Sequence, residues 1–217
     1  MTSRPKKPEA RPAPRLYLMT PPLTRADEFS VALGLALEAG DIAAVLLRLG
    51  QADERELINC IKAIATVVQK AGAALVIAEH ADLAARGGAD GAHLTGADAF
   101  AAAAPSLKPD RIAGAGGLVS RHDAMAVAEK GADYVMFGEP DDGERPSLAA
   151  IEERVAWWAE VFEVPCVAYA ASLSEIVPLV AAGADFIAVD YIWNDSRGPA
   201  AALVSLQADL RLPEAAI

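Results

Sequence analysis

Seven residues of this 217-residue chain stand where an apolar run gives way to a polar turn, and their types suit the handling of a small anion. Arg48 closes Val45-Leu46-Leu47. A guanidinium there either meets solvent at a rim or acts as an anion ligand. Glu79 follows the third apolar run in Ala78-Glu79-His80, and Asp98 follows the fourth in Thr95-Gly96-Ala97-Asp98. Two carboxylates from neighbouring strand ends would share a Mg²⁺, a hard cation that keeps several waters for substrate phosphates. The alternative is that Asp98 opens a helix and Glu79 is simply solvated. His93 ends a buried strand, where a histidine more often hydrogen-bonds a neighbouring loop than does chemistry. His80 in a turn and His122 at a helix start read as surface residues.

Gly114-Ala115-Gly116-Gly117 forms a Gly-rich corner after the fifth run. Backbone N–H groups of Gly116 and Gly117 would cradle an anion, although such pairs also make ordinary tight turns. The loop 138–146 after the sixth run is acidic apart from Arg145, the residue in it suited to a phosphate. It reads as a lid or as a solvated loop.

The elements that must position these residues alternate regularly from residue 15. Strands are expected at 15–19, 43–47, 74–77, 91–94, 112–115, 134–137, 166–169 and 186–189. Helices are expected at 26–39, 54–71, 81–86, 97–104, 121–130, 148–161, 174–181 and 200–210. Asp53, Ser120 and Ser147 suit helix caps, and Gly40, Gly72, Gly131 and Gly183 suit helix stops. Three of the strands are announced by the same triplet, Gly-Ala-Asp, at 88–90, 131–133 and 183–185. Eight such units predict a single-domain α/β protein, a (β/α)8 TIM barrel, with residues 15–217 in the barrel. No Gly-x-Gly-x-x-Gly follows the first strand, which argues against an open dinucleotide-binding sheet. In a barrel the chemistry belongs at the carboxyl ends of the strands, which is where the seven residues stand.

Composition narrows the partners. Apolar residues make up 53% of the chain, as expected when a parallel sheet is covered on both faces. The formal charge of −11 and the lack of a basic face argue against nucleic acid. No run of 18 apolar residues is present to span a membrane, and none is expected to bind one. Cys60 and Cys166 are isolated within apolar segments and read as core thiols in a reducing, cytoplasmic setting. Residues 1–14 are rich in proline and basic side chains and read as a disordered tail, not a leader. Trp157-Trp158 sits mid-helix, one ring inward and the other half-exposed, which makes a homodimer contact one option.

At these residues the chain resembles the thiamine phosphate synthase family, which includes the related thiazole tautomerases. Leu16-Tyr17-Leu18-Met19-Thr20 is similar to its opening strand, and Ala81-Asp82-Leu83-Ala84 with Gly88-Ala89-Asp90-Gly91-Ala92-His93-Leu94 to its most specific signature. The likeness runs from about Arg15 to Trp193. It implies a (β/α)8 barrel that joins an aminopyrimidine diphosphate to a thiazole phosphate and expels pyrophosphate, with Mg²⁺ on the leaving group. By position it implies Arg48 as a catalytic residue and Glu79 and Asp98 as metal ligands. His93, Gly116, Gly117 and Arg145 would then line the site for small phosphorylated substrates.

The same resemblance exposes departures. The family's glutamine and lysine flanking the arginine are Leu46 and Gly50 here. Its asparagine after strand three is Ala78, and its serine after strand five is absent. The threonine- and lysine-bearing loop after strand six becomes Gly138-Glu139-Pro140-Asp141-Asp142. The Gly-Gly after strand seven is Ala170-Ala171, and the serine after strand eight is Tyr191, preceded by Asp190. Two expectations follow: a thiamine phosphate synthase-like protein with altered phosphate positions, or a non-catalytic or repurposed barrel that binds another small molecule or a protein. Thiazole tautomerisation would need a base near strand five, for which His122 is the nearest candidate.

Overall fold

A computed structural model describes residues 12–140 and 145–210, apart from the Glu28 side chain. Most of the expected tail, residues 141–144 of the acidic loop and residues 211–217 lie outside the described residues.

The order is β1 (Arg15–Met19), α1 (Asp27–Ala39), β2 (Ile42–Leu47), α2 (Glu54–Lys70), β3 (Ala74–Ala78), α3 (Ala81–Gly87), β4 (Gly91–Thr95) and α4 (Ala97–Leu107). It continues through β5 (Ile112–Gly116), α5 (Arg121–Glu129), β6 (Tyr134–Phe137), α6 (Leu148–Val161), β7 (Cys166–Tyr169), α7 (Ile176–Ala181), β8 (Phe186–Val189) and α8 (Pro199–Leu210). The strands are parallel in sequence order, and β8 returns to β1 in the register Arg15↔Phe186 to Leu18↔Val189, closing a barrel.

Alternation along each strand makes two cores. In β1, Leu16 and Leu18 face the helices, where they join Leu33, Ile61, Phe100, Trp158 and Leu203 in the outer cluster. Tyr17 and Met19 face the barrel axis with Leu46, Val76, Tyr134, Met136 and Tyr169. Trp158 is fully buried and its indole N–H donates to the Val164 carbonyl at 2.7 Å. Trp157 is half-buried beneath the Arg121 guanidinium, 4.7 Å above its ring.

The Gly-Ala-Asp triplets act at the amino ends of the strands. Asp90, Asp133 and Asp185 accept the N–H groups of Leu75, Ala113 and Cys166 at 2.7, 2.7 and 2.8 Å. Each aspartate also donates its own N–H to the carbonyl of the same residue. The carboxylate thus satisfies an N–H within the first two residues of β3, β5 and β7. Gly131 and Gly183 stop their helices at φ +88° and +97°.

The caps at Asp53, Ser120 and Ser147 form as expected. Four local expectations change. Gly40 is extended at φ −152°, because the chain runs straight into β2. α4 continues to Leu107 through Pro105, its last turn held by the buried Leu107 and by Lys108 N–H donating to the Ala104 carbonyl at 3.0 Å. The seventh helix begins as a 3-10 turn, Leu173–Glu175, and a second such turn, Tyr191–Asn194, precedes α8. His93 faces the barrel interior, not a loop, because residue 93 shares the inward alternation of β4.

Candidate active site

The strand exits gather Arg48, Glu79, His93, Gly116 and Gly117 on one rim of the barrel. Arg48 leaves β2 half-buried. Its own N–H donates to Thr20 Oγ1 at 3.1 Å, its Nε donates to the Thr20 carbonyl, and its Nη2 meets Asp190 Oδ2 at 2.9 Å. Asp190, just past β8, also accepts the Tyr169 hydroxyl at 2.7 Å. Burial and that hydrogen bond hold the Tyr169 hydroxyl far above its usual range, so it stays a neutral donor. The guanidinium expected to meet an anion therefore has one within the chain.

A second clasp closes the β6–β7 side. Arg145 donates to the carbonyls of Gly138 and Tyr169 at 2.9 and 3.0 Å and pairs with both oxygens of Glu175 at 3.1 and 2.8 Å. Glu175 Oε2 also accepts the Ala171 N–H at 2.8 Å. Burial would raise the Glu175 pKa, but Arg145 and the Ala171 N–H outweigh it, and the carboxyl lies below its ordinary range. Nearby, the Tyr191 hydroxyl is buried without a hydrogen-bond partner among the described residues, and burial pushes it up to about 12.

The Gly-rich corner is also filled from within. Gly117 lies at φ +59°, and its N–H donates to Glu139 Oε1. A side chain on Gly116 would overlap Glu139 Oε1 and His93 Nε2, so the carboxylate and the imidazole both cover this backbone. His93 Nδ1 shares a hydrogen bond with the Tyr134 hydroxyl at 2.9 Å, and Tyr134 shares another with Tyr17 at 2.7 Å. Burial pulls the His93 pKa down to about 4, leaving the ring neutral at pH 7. A hollow of about 380 Å³ beside this corner is lined by Gly117, Met136, Glu139, Arg145 and Arg154. Arg154 holds its outer wall by donating to the Leu118 and Val119 carbonyls at 2.7 and 3.1 Å.

The two expected metal ligands stay on the exposed part of the rim. Glu79 has φ +66°, the one left-handed non-glycine among the described residues, and its Oε1 accepts the Thr95 N–H at 3.0 Å. Such a backbone is strained by about 1 kcal/mol or more. Asp98 is exposed in the first turn of α4. Among the described residues no three His, Cys, Asp or Glu side chains converge on one point. Both carboxylates offer the hard oxygen donors that Mg²⁺ takes. His122 is exposed on α5, and His80 is exposed beside Glu79.

Sequence reasoning singled out Asp190 but passed over Thr20, Glu139, Tyr169 and Glu175 as partners. Glu175 had one signal: it lies four residues after Ala171 at the head of a helix, where a carboxylate reaches back to loop N–H groups.

Comparison with known proteins agrees with the fold. The family model described as thiamine monophosphate synthase matches residues 16–190. A protein named thiamine-phosphate synthase from Rhodospirillum centenum is 40% identical over 207 residues, 91% of this chain and 98% of that protein. One of the same name from Hyphomonas neptunium is 39% identical, over 92% of this chain and 95% of that protein. Among solved structures, thiamine phosphate pyrophosphorylase from Pyrococcus furiosus superposes with a TM-score of 0.74 at 24% identity, covering 90% of this chain and 95% of that one. A 3-hexulose-6-phosphate synthase shares the barrel with a TM-score of 0.69 at 17% identity, over 90% of this chain and all of the other.

Proposed function

The chain belongs to the thiamine monophosphate synthase family, and from that premise we propose that it is a repurposed member: its mouth binds a small molecule but does not seat a thiazole phosphate as the family reaction requires. The observation that carries this reading is the Glu175 carboxylate on the Ala171 N–H. Ala170-Ala171 occupies the position where the resemblance puts the phosphate-holding glycines. An incoming phosphate meets a carboxylate already paired with Arg145, and a second, Asp190, already paired with Arg48. Each such pair is close to neutral, so a phosphate gains little attraction from either guanidinium unless the carboxylate moves aside. The ligand that suits this mouth places its apolar part in the hollow beside Gly117.

A second reading, a working synthase, is favoured by the relatives that bear that name at 40% and 39% identity. In it Glu175 and Asp190 swing away as phosphate arrives, freeing Arg145 and Arg48. Glu79 and Asp98 would then hold a Mg²⁺, which supplies charge neutralisation of the departing pyrophosphate. Under either reading a cytoplasmic protein is expected, supported by two cysteines that stay buried as thiols.

One assay separates the two. The purified protein is incubated with the aminopyrimidine diphosphate, the thiazole phosphate and Mg²⁺, and thiamine phosphate is measured. The repurposed reading expects none above the uncatalysed background. Robust turnover that Asp98→Ala abolishes would sink it.

A further inference from the structure

Barrel interiors are ordinarily filled by layers of bulky branched side chains. This one carries three buried polar rings that the chemistry of the mouth leaves unused: Tyr17 on β1, His93 on β4 and Tyr134 on β6. His93 and Tyr134 are both register partners of Gly114 on β5, so the three residues line up across adjacent strands. A Cβ on Gly114 would fall 2.4 Å from the Tyr134 hydroxyl. The glycine is thus what lets the phenol reach across β5, with its ring stacked on the imidazole at 5.6 Å and 17°.

Two hydrogen bonds join the three groups, Tyr17 to Tyr134 at 2.7 Å and Tyr134 to His93 Nδ1 at 2.9 Å. The neutral ring brings one proton and each phenol another, and where the ring proton sits decides whether all three are used. The other ring nitrogen, Nε2, turns towards the mouth. It and Glu139 Oε1 lie 2.5 and 2.0 Å from one point, the place a Cβ on Gly116 would take. With the ring proton on Nδ1, one tyrosine hydroxyl proton has no acceptor among the described residues, and the bare Nε2 lone pair faces a carboxylate. With the ring proton on Nε2, Tyr17 donates to Tyr134, Tyr134 donates to Nδ1, and an N–H faces Glu139. Buried donors without acceptors are costly, so the second arrangement wins.

We propose that Tyr134, itself oriented by Tyr17, is a positioning residue that holds His93 in the Nε2–H tautomer and so gives the Gly116–Gly117 corner a fixed donor in place of a base. The hydrogen bond on one imidazole nitrogen sets which nitrogen carries the proton. With Nδ1 taken by Tyr134 and Nε2 protonated, His93 has no lone pair with which to accept a proton. Thiazole tautomerisation needs a base near strand five, and the histidine that stands there is barred from that role. The inference concerns the same mouth and holds whether that mouth is repurposed or a working synthase.

The ring nitrogens report the tautomer directly. Long-range proton–nitrogen correlation spectra of the ¹⁵N-labelled full chain at pH 7 show each histidine ring, and His93→Gln identifies the His93 signals by their loss. His93 Nδ1 should resonate as a bare ring nitrogen and Nε2 as a protonated one, while the exposed His80 and His122 give averaged shifts. In Tyr134→Phe the His93 shifts should move towards those averages, a change that a purely structural role for the hydroxyl would not produce. A protonated Nδ1, or averaged shifts in the unaltered chain, would overturn the tautomer. Unmoved His93 shifts in Tyr134→Phe would overturn the role of Tyr134. If that variant does not fold, the Tyr134 hydroxyl proton of the unaltered chain is read instead: it should couple to Nδ1 across the hydrogen bond, and no coupling would overturn that role. Thiamine phosphate turnover, present or absent, leaves these shifts in place, so this inference and the proposed function fail separately.

Discussion

Arg145 grips Glu175 through both arms of its guanidinium, at 3.1 and 2.8 Å, while the same carboxylate takes the Ala171 N–H at 2.8 Å. Neither partner is more than a quarter exposed, with side-chain exposures of 23% and 15%. Charge from the loop after β6 and an N–H from the β7 exit thus converge on an anion that the chain itself provides.

Removing that anion tests the proposed function. In Glu175→Ala the Ala171 N–H and Arg145 become available, and inorganic phosphate should bind about tenfold or more tightly than to the unaltered protein, as a charge-assisted hydrogen bond allows. Calorimetric titration measures it. Phosphate binding that stays unchanged would mean Glu175 is not standing in the anion position.

The same pair sets a pH dependence. Glu175 has a lowered pKa in the folded state, so its stabilisation is complete above the ordinary carboxylate value of 4.5 and fades as pH falls through the folded value. The stability gap between the unaltered protein and Glu175→Gln should be flat from pH 8 to about 5 and shrink below that. Urea melts across this range give the gap. A gap that widens in acid contradicts the pairing.

His93 gives the same sense at higher pH. Its folded pKa, about 4, lies below the ordinary 6.5, so the unfolded chain binds more protons in between and stability falls as pH drops through that window. Between pH 7 and pH 5 the expected loss is about 2 kcal/mol. His93→Gln keeps an acceptor for Tyr134 and should remove this part of the pH dependence. If both proteins lose stability in parallel, His93 is not buried neutral.

Arg48→Lys tests the geometry at β2. A lysine presents one ammonium where the guanidinium reaches the Thr20 carbonyl and Asp190 at once. The expected cost is about 1–2 kcal/mol, lessened by the pair's partial exposure, and thermal unfolding reads it. An unchanged Tm would mean the pair contributes nothing to the fold.

The triplet aspartates should behave as three copies of one device. Asp90→Ala, Asp133→Ala and Asp185→Ala each leave an N–H near the start of a strand without its carboxylate acceptor and should cost about 1–3 kcal/mol. The sites share no partner, so a double variant should lose close to the sum of its singles. Chemical denaturation checks both statements, and strong non-additivity would show that the clamps act as one unit.

The sequence by itself determined the barrel. Apolar runs of four to six residues, helix caps at Asp53, Ser120 and Ser147 and the Gly-Ala-Asp punctuation are local signals, and each acts within a few residues of itself. It also put Arg48, Glu79, His93, Asp98, Gly116 and Gly117 at strand exits, because position in a βα unit sets the end of the barrel. What sequence could not supply was who partners whom. Arg48 and Asp190 are 142 residues apart, and Arg145 and Glu175 are 30 apart. Arg145 reads from sequence as a lone cation in an acidic loop, and His93 as a loop contact; only barrel closure turns one onto Glu175 and the other onto Tyr134. Local patterns fix which element forms and which way it faces. Electrostatic partners across a closed barrel are fixed by where every strand ends at once, which is a property of the assembled tertiary structure.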